Sequence, residues 1–202
     1  PATQSDVAKV QLDPARGGSL EALTVGGMSF ERANDPRDEF PVFTCLDLDR
    51  GRFDIAGSDA RWNVRHEKDT VTYSSTNGLS ITVSYRMTPQ GTMRVATRVN
   101  AEGRWRLVSV RGALRVKESN DISFLSCVDG GRLYHGGWTE LCFGKTGANF
   151  LGVVGERCGV LLHPLHHAWM MAFGSRRGET VMSLRQDFRP SNVTAFVTLL
   201  CH

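Results

Sequence analysis

Regular alternation of apolar and polar residues is the feature that most limits what this chain can fold into. From Leu79 to Met87 the odd-numbered residues are mostly apolar and the others polar, and the pattern recurs over residues 93–99. A period of two is typical of strands that bury one face. Asn77-Gly78 precedes the first run, and this pair is favoured in tight hairpins because both residues tolerate positive φ. Residues 69–116 are therefore predicted to form an antiparallel meander of about four strands.

Further segments have strand-like composition and lie between turn residues. They are residues 7–12, 19–25, 42–48, 52–56, 61–66, 122–127, 149–154, 159–163, 167–173, 180–185 and 193–200. The 21 glycines and seven prolines are spread among them and leave little room for a long helix, because both residues destabilise helix interiors. About a dozen short strands with regular turns predict an all-β chain, folded as a large antiparallel sandwich or barrel with little helix.

The length and charge of the chain limit the number of domains and the classes of binding partner. No linker-like stretch divides the 202 residues, so we predict one domain over residues 1–202. The net charge of +3 is small and scattered, which predicts no nucleic-acid partner. No apolar run approaches the roughly 20 residues of a membrane-spanning helix, so no membrane partner is predicted. The strand-like run at residues 199–202 is more typical of a piece of a longer protein than of a natural terminus.

The five cysteines give a further expectation about the chain's environment. They are odd in number, widely spaced and without a Cys-x-x-Cys pair: Cys45, Cys127, Cys142, Cys158 and Cys201. This pattern favours buried, reduced thiols over a disulfide framework. One or two bridges in a secreted protein are the alternative, and the compartment stays open.

A glycine-rich segment over residues 129–147 contains the first candidate binding site. It carries Tyr134, His135, Trp138 and Glu140. A sugar ring can stack its CH groups on an aromatic side chain while a neighbouring carboxylate accepts hydrogen bonds from its hydroxyls. We therefore predict carbohydrate binding by these four residues. The alternative is a long hairpin over one sheet edge, with Trp138 packed onto the sheet.

A histidine cluster is the second candidate. His163, His166 and His167 lie close together beside Trp169, where imidazoles could contact sugar hydroxyls. Their near neighbours are apolar, and two residues three apart on a strand point to opposite faces, which disfavours chelation. We predict carbohydrate contact here and no metal site.

No catalytic group is predicted. A glycosidase needs two carboxylates flanking one bond, and spacing on strands does not bring a chosen pair together. Asp47 and Asp49 share one strand face, but solvation at the surface explains them. Trp62 and Trp105 lie within alternating segments and are predicted to be core or sheet-face residues. No cofactor is predicted either.

The sequence of residues 17–114 resembles that of a known family of domains. These residues contain GGSLEALTVGG, then DARWNVRHEKDTVTYSS, then LSITVSYRMTPQGTMRVATRVNAEGRWRLVSVRGAL. This succession resembles the β-supersandwich domains with a galactose-mutarotase-like fold, which precede the catalytic barrels of several large carbohydrate-active enzymes. The resemblance implies a supersandwich-like domain, a carbohydrate ligand and an adjoining catalytic domain.

The same family includes free-standing aldose mutarotases, which use a histidine as general acid and a glutamate as general base. His163-Pro164 is similar to their His-Pro pair, but Arg185-Gln186-Asp187 stands in the late strand where a glutamate would be needed. We therefore predict an accessory or substrate-proximal carbohydrate module without a complete catalytic apparatus. A mutarotase-like or epimerase-like enzyme and a structural or adhesive β module are the alternatives.

Overall fold

The computed structural model describes residues 8–25, 28–87, 92–116, 123–126, 133–135, 151–154, 159–164, 169–176, 179–188 and 195–201. Within these ranges the chain forms seventeen β-strands and two single 3-10 turns. The strands are β1 (Ala8–Asp13), β2 (Ser19–Val25), β3 (Met28–Arg32), β4 (Val42–Asp47), β5 (Gly51–Ala56), β6 (Asn63–Glu67), β7 (Thr70–Ser74), β8 (Leu79–Met87), β9 (Thr92–Ala101), β10 (Trp105–Val116), β11 (Ser123–Ser126), β12 (Leu133–His135), β13 (Leu151–Val154), β14 (Gly159–Pro164), β15 (Trp169–Arg176), β16 (Glu179–Asp187) and β17 (Ala195–Cys201).

The strands pair into two antiparallel sheets. The eight-stranded sheet has the order β1-β2-β3-β10-β16-β15, with β4 also paired to β10 and β5 beyond β4. Its centre is the long strand β10, which pairs with β4 and β3 along one edge and with β16 along the other. The nine-stranded sheet has the order β12-β11-β13-β14-β17-β9-β8-β7-β6.

The core lies between the two sheets and is rich in aromatic residues. Phe43 of β4 meets Tyr73 of β7 edge to face, with ring centroids 4.9 Å apart. Trp62 packs against both rings and against Trp105. Trp62 and Trp105 are buried, so of the two predicted alternatives they are core residues. Such edge-to-face contacts add to the stabilisation that burial of the rings provides.

The predicted all-β sandwich with little helix is confirmed, and one detail of its topology is corrected. The four-strand meander consists of β6 to β9, because β10 leaves it and joins the other sheet. At the corner between β9 and β10, the Glu102 amide donates to the Gly78 carbonyl at 2.9 Å. A side chain at Gly103 would overlap the Asn77 carbonyl oxygen. The chain leaves the meander at this tightly packed corner, and alternation alone does not indicate which sheet a strand joins.

Two strands were not predicted from the sequence. One is β3, which follows a glycine pair directly and closes a hairpin with β2. The other is β12, within the glycine-rich segment, which pairs with β11 at the edge of the nine-stranded sheet. None of the helical segments in the described ranges has the length and apolar character needed to cross a membrane.

Candidate functional site

A polar groove lies in the eight-stranded sheet where β1, β2, β3 and β10 run side by side. Its volume is about 430 Å³, within the range of small-molecule sites. We call it the arginine groove. The residues that line it are Gln11, Arg16, Glu21, Ala22, Glu31, Arg32, Ala33, Asn34 and Arg115.

A β-bulge in β2 creates the floor of the arginine groove. Gln11 of β1 is opposite Ala22, whereas the next residue, Leu12, is opposite Leu20, so Glu21 is an extra residue in β2. Leu20 is in the core, and the bulge leaves both Glu21 and Ala22 among the residues that line the groove. Bulges commonly redirect side chains in this way beside functional sites.

The strand register brings acidic, amide and basic side chains into contact across the groove. Ala22 is opposite Glu31, and Glu31 is opposite Arg115 of β10. The Gln11 side-chain amide donates to Glu21 Oε2 at 2.6 Å, and Arg115 donates to Glu31. Both groove carboxylates therefore accept a hydrogen bond from a neighbouring groove residue.

Arg32 and Asp13 define one side of the groove. Arg32 Nη1 donates to Asp13 Oδ2 at 2.9 Å. The other oxygen of Asp13 accepts from the Ala15 amide at 3.1 Å and caps the 3-10 turn Pro14–Arg16. The hydrogen bond from Arg32 is the main cause that lowers the pKa of Asp13 below its usual value. Asp13 is thus a carboxylate that fixes both the turn and the Arg32 guanidinium.

Arg16 ends that turn and extends between the groove and a buried carboxylate. Its Nη1 lies 4.0 Å from Oε2 of Glu39, whose side chain is only 1% exposed. Oε1 of Glu39 accepts from the Ser58 hydroxyl at 2.5 Å, whereas Oε2 has no hydrogen-bond partner. The following residue, Gly17, has φ +61° and packs so closely on the Gly57 carbonyl that a side chain would overlap it.

The groove offers alternating hydrogen-bond donors and acceptors on a scaffold of fixed ion pairs. Three guanidinium groups, two carboxylates and two side-chain amides line it, together with two alanines. Such a surface suits a small ligand rich in hydroxyl groups, each of which both donates and accepts. No set of three His, Cys, Asp or Glu side chains in the described part of the chain is placed to hold a metal ion.

The predicted site residues lie elsewhere. Tyr134 and His135 are on the edge strand β12, opposite Phe124 and Ser123, and His163 is on β14. Strands β12 and β14 belong to the nine-stranded sheet and are three strand spacings apart, about 14 Å. Trp138, Glu140, His166 and His167 lie outside the described residues. The prediction for these residues is thus separate from the arginine groove, which is on the other sheet.

The interpretation of Asp47 as a solvated surface residue is wrong. Its side chain is buried at the end of β4, where Oδ1 accepts from Arg104 Nη2 at 3.0 Å and from the Asp49 amide at 2.9 Å. Asp49 is in the following turn and is exposed. The sequence pattern gave no sign of this difference, because Arg104 lies more than fifty positions away.

The groove residues themselves were missed by the sequence analysis. They come from four strands, one 3-10 turn and the loop after β3, spread between Gln11 and Arg115. The one local signal is Glu21, the single charged residue of β2. A bulge that redirects Glu21 depends on its pairing with β1, which alternation does not report.

Comparison with known proteins identifies the fold. No protein-family model matches the chain, and no curated protein matches it by sequence. Solved structures do match in three dimensions. An α-N-acetylgalactosaminidase, NagBb, from Bifidobacterium bifidum (a quadruple mutant) superposes with a TM-score of 0.68 at 9% identity, covering 98% of this chain and 35% of NagBb. This chain therefore spans about a third of that enzyme.

Two other structures match along most of their length. A GalM/aldose epimerase homologue from C. elegans has a TM-score of 0.60 at 10% identity, covering 98% of this chain and 96% of the homologue. The Slr1438 protein from Synechocystis sp. PCC 6803 has a TM-score of 0.51 at 12% identity, covering 96% and 92%. At such low identity the likeness concerns the fold alone. The chain has a galactose-mutarotase-like β-sandwich fold.

Proposed function

We propose that this chain is a carbohydrate-associated β-sandwich module that binds a sugar in the arginine groove and has no complete catalytic apparatus of its own. The observation that carries the proposal is the groove itself, with its donors and acceptors held on a galactose-mutarotase-like sheet. Carbohydrate-related neighbours of the same fold support a carbohydrate ligand.

The chemistry of the groove is suited to recognition. Glu21 and Glu31 each already accept a hydrogen bond from another groove residue, Gln11 and Arg115 respectively. These contacts hold the two carboxylates as acceptors in fixed positions. A sugar that binds across them would exchange hydrogen bonds with water for hydrogen bonds with a prearranged surface.

The role as an accessory module is supported by the match to NagBb. That enzyme carries this fold in about a third of its length and has further chain beside it. We propose that this chain likewise works next to a catalytic domain and holds or orients substrate near it. The adjoining domain would then supply the residues that break or form the glycosidic bond.

Blocking the groove tests the proposal. Ala22→Trp places a large side chain on the groove floor, whereas Thr24→Trp adds the same side chain two positions along the same strand, outside the groove. We expect the wild-type chain and the Thr24 variant to bind one class of glycan on an array, and the Ala22 variant to lose that binding. Calorimetry with the best glycan measures the loss. Equal binding by all three chains would contradict the groove as the site.

A second sugar-binding surface stays a prediction. It consists of Tyr134, His135, Trp138 and Glu140, with His163, His166 and His167 as the second choice. Trp138→Ala tests it on the same array. Loss of binding in the Trp138 variant, with no loss in the Ala22 variant, would locate the carbohydrate site at the glycine-rich segment instead of the groove.

An aldose mutarotase or epimerase is the alternative function, and the fold of the GalM homologue favours it as a second candidate. Polarimetry of freshly dissolved galactose and glucose, with and without the chain, separates the two. We expect the rate of mutarotation to equal that of the buffer. A rate that rises with protein concentration would establish the enzyme. Absence of both catalysis and glycan binding would favour a structural module.

A further inference from the structure

We infer that the sugar bound in the arginine groove carries a carboxylate group, and that Arg16 is the residue that binds it. This inference rests on the proposed carbohydrate function and adds the chemical class of the ligand to it. Three observations carry it: the different pairing of the three groove arginines, the buried oxygen of Glu39 behind Arg16, and the rigid attachment of the Arg16 backbone.

The three guanidinium groups of the groove are not equivalent. Arg32 is hydrogen-bonded to Asp13 at 2.9 Å, and Arg115 is hydrogen-bonded to Glu31. Arg16 has its carboxylate neighbour 4.0 Å away, beyond hydrogen-bond distance. Its side chain is also the most exposed of the three, at 44% against 24% for Arg32 and 34% for Arg115. Arg16 is therefore the groove guanidinium best able to accept a new anionic partner.

The buried Glu39 carboxylate favours a position of the Arg16 side chain between Glu39 and the groove. Its Oε2 is buried without a hydrogen-bond donor, and a buried acceptor left in this state is destabilising. A guanidinium has five N–H donors in a planar fork, enough for two acceptors on different edges. A small rotation of the Arg16 side chain would bring a donor to Glu39 Oε2 while the other edge faces the groove. Glu39 is thus a positioning residue, and Arg16 is the residue that contacts the ligand.

Contacts of the backbone on both sides of Arg16 fix its position relative to Glu39. Asp13 caps the turn from one side, and Gly17 packs on Gly57 from the other. Ser58, which bonds Glu39, follows Gly57 directly. The base of the Arg16 side chain and the carboxylate behind it are therefore held on one packed unit. With one edge bonded to Glu39, the planar fork would match the two coplanar oxygens of a carboxylate better than a spherical anion.

Acidic and neutral oligosaccharides of similar size test the inference. We expect the wild-type chain to bind a galacturonate or glucuronate oligosaccharide about tenfold more tightly than the matched neutral galactose or glucose oligosaccharide, the gain expected of one charge-assisted pair of hydrogen bonds. The preference should weaken as salt is raised from 0.05 to about 0.5 M, because screening reduces the charge interaction. A sulfated neutral oligosaccharide is the third ligand.

Variants of Arg16 and Glu39 test which residue contacts the ligand and which one positions it. Arg16→Gln should remove the preference, so that this variant binds the acidic and the neutral oligosaccharide with equal affinity, and Arg16→Lys should keep only part of the preference. Arg65→Gln, an exposed strand arginine outside the groove, is the matched control and should change nothing. Glu39→Gln should reduce the uronate preference only while Arg16 is present. A purely structural effect of Glu39 would weaken the binding of uronate and of neutral sugar alike, so a loss confined to uronate identifies the positioning role.

The outcomes separate this inference from the proposed function. Equal binding of uronate and neutral sugar, a preference that survives Arg16→Gln, or tighter binding of the sulfated sugar would overturn the inference while the groove remains a carbohydrate site. Failure of every glycan to bind, or binding that Ala22→Trp does not reduce, would overturn the proposed function itself. Because Arg16 is exposed, its variants are expected to fold, and a thermal melt equal to that of the wild type confirms this.

Discussion

The indole Nε1 of Trp105 donates a hydrogen bond to Oδ2 of Asp47 at 3.1 Å. This bond joins the first residue of β10 to the last residue of β4 and secures the end of the central pairing in the eight-stranded sheet. The other carboxylate oxygen of Asp47 accepts from the Asp49 amide and from Arg104. Asp47 is thus an acceptor for three donors at the point where two strands meet.

These donors make the fold sensitive to acid. The hydrogen bond from the Asp49 amide, with those from Arg104 and Trp105, lowers the pKa of Asp47 to about 2 from its usual 3.8. A carboxylate whose pKa is lower in the folded state stabilises the fold above pH 3.8, and this contribution is lost as the pH falls towards 2. We expect the melting temperature of Asp47→Asn to be lower at pH 6 and to fall less steeply between pH 4 and 2. Asp69→Asn, at an exposed position, should retain the wild-type slope.

A second prediction concerns Gly17. Gly17→Ala combines positive φ with overlap of the Gly57 carbonyl oxygen, so we expect a loss of about 2–4 kcal/mol in the free energy of unfolding. Gly51→Ala is the matched control: it has φ +84° and open space around the added carbon. That control should lose only about 1 kcal/mol. Urea denaturation measures both, and equal losses would show that the Gly17–Gly57 contact is not tight.

Cys45 is predicted to be inert in the folded protein. Burial in the core raises the pKa of its thiol to about 12, so the reactive thiolate is scarce at neutral pH. We expect iodoacetamide to leave Cys45 unlabelled in the native chain and to label it within minutes in denaturant. Peptide mapping by mass spectrometry reads this residue separately from the other cysteines. Labelling of the native chain at the rate of a free thiol would contradict the structure.

Two tyrosine hydroxyls in the core are expected to be dispensable. Tyr73 and Tyr85 are buried, their hydroxyl oxygens have no hydrogen-bond partner, and burial raises the pKa of both. Because a buried hydroxyl without a partner contributes nothing favourable, Tyr73→Phe and Tyr85→Phe should leave stability unchanged within about 0.5 kcal/mol or raise it. Tyr73→Ala should lose about 3–5 kcal/mol, because it also removes the ring. A large loss in the phenylalanine variants would reveal a partner for the hydroxyl, such as a buried water.

The sequence predicts those parts of the structure that depend on residues close together in the chain. Alternation places Ile81 and Val83 in the core, and Asn77-Gly78 marks the turn before them, because side-chain direction and turn geometry depend on near neighbours. The arginine groove depends on register. Glu21 lines it through a bulge against β1, and Arg115 meets Glu31 across strands that are far apart in the chain. Nothing local to Arg115 distinguishes it from Arg111, which pairs with Asp54 instead.

Strand β10 is central in its sheet and is separated from β9 by a single corner. This topology affects which strand edges are open while the chain is being synthesised. These two neighbouring strands belong to different sheets, and their remaining partners, β16 and β17, come much later in the chain. During synthesis each sheet therefore has one central hydrogen-bonding edge open until these partners are made. Until residues 179–201 emerge, each edge can recruit a strand from another molecule, so a chaperone that covers these edges during synthesis is expected to reduce aggregation.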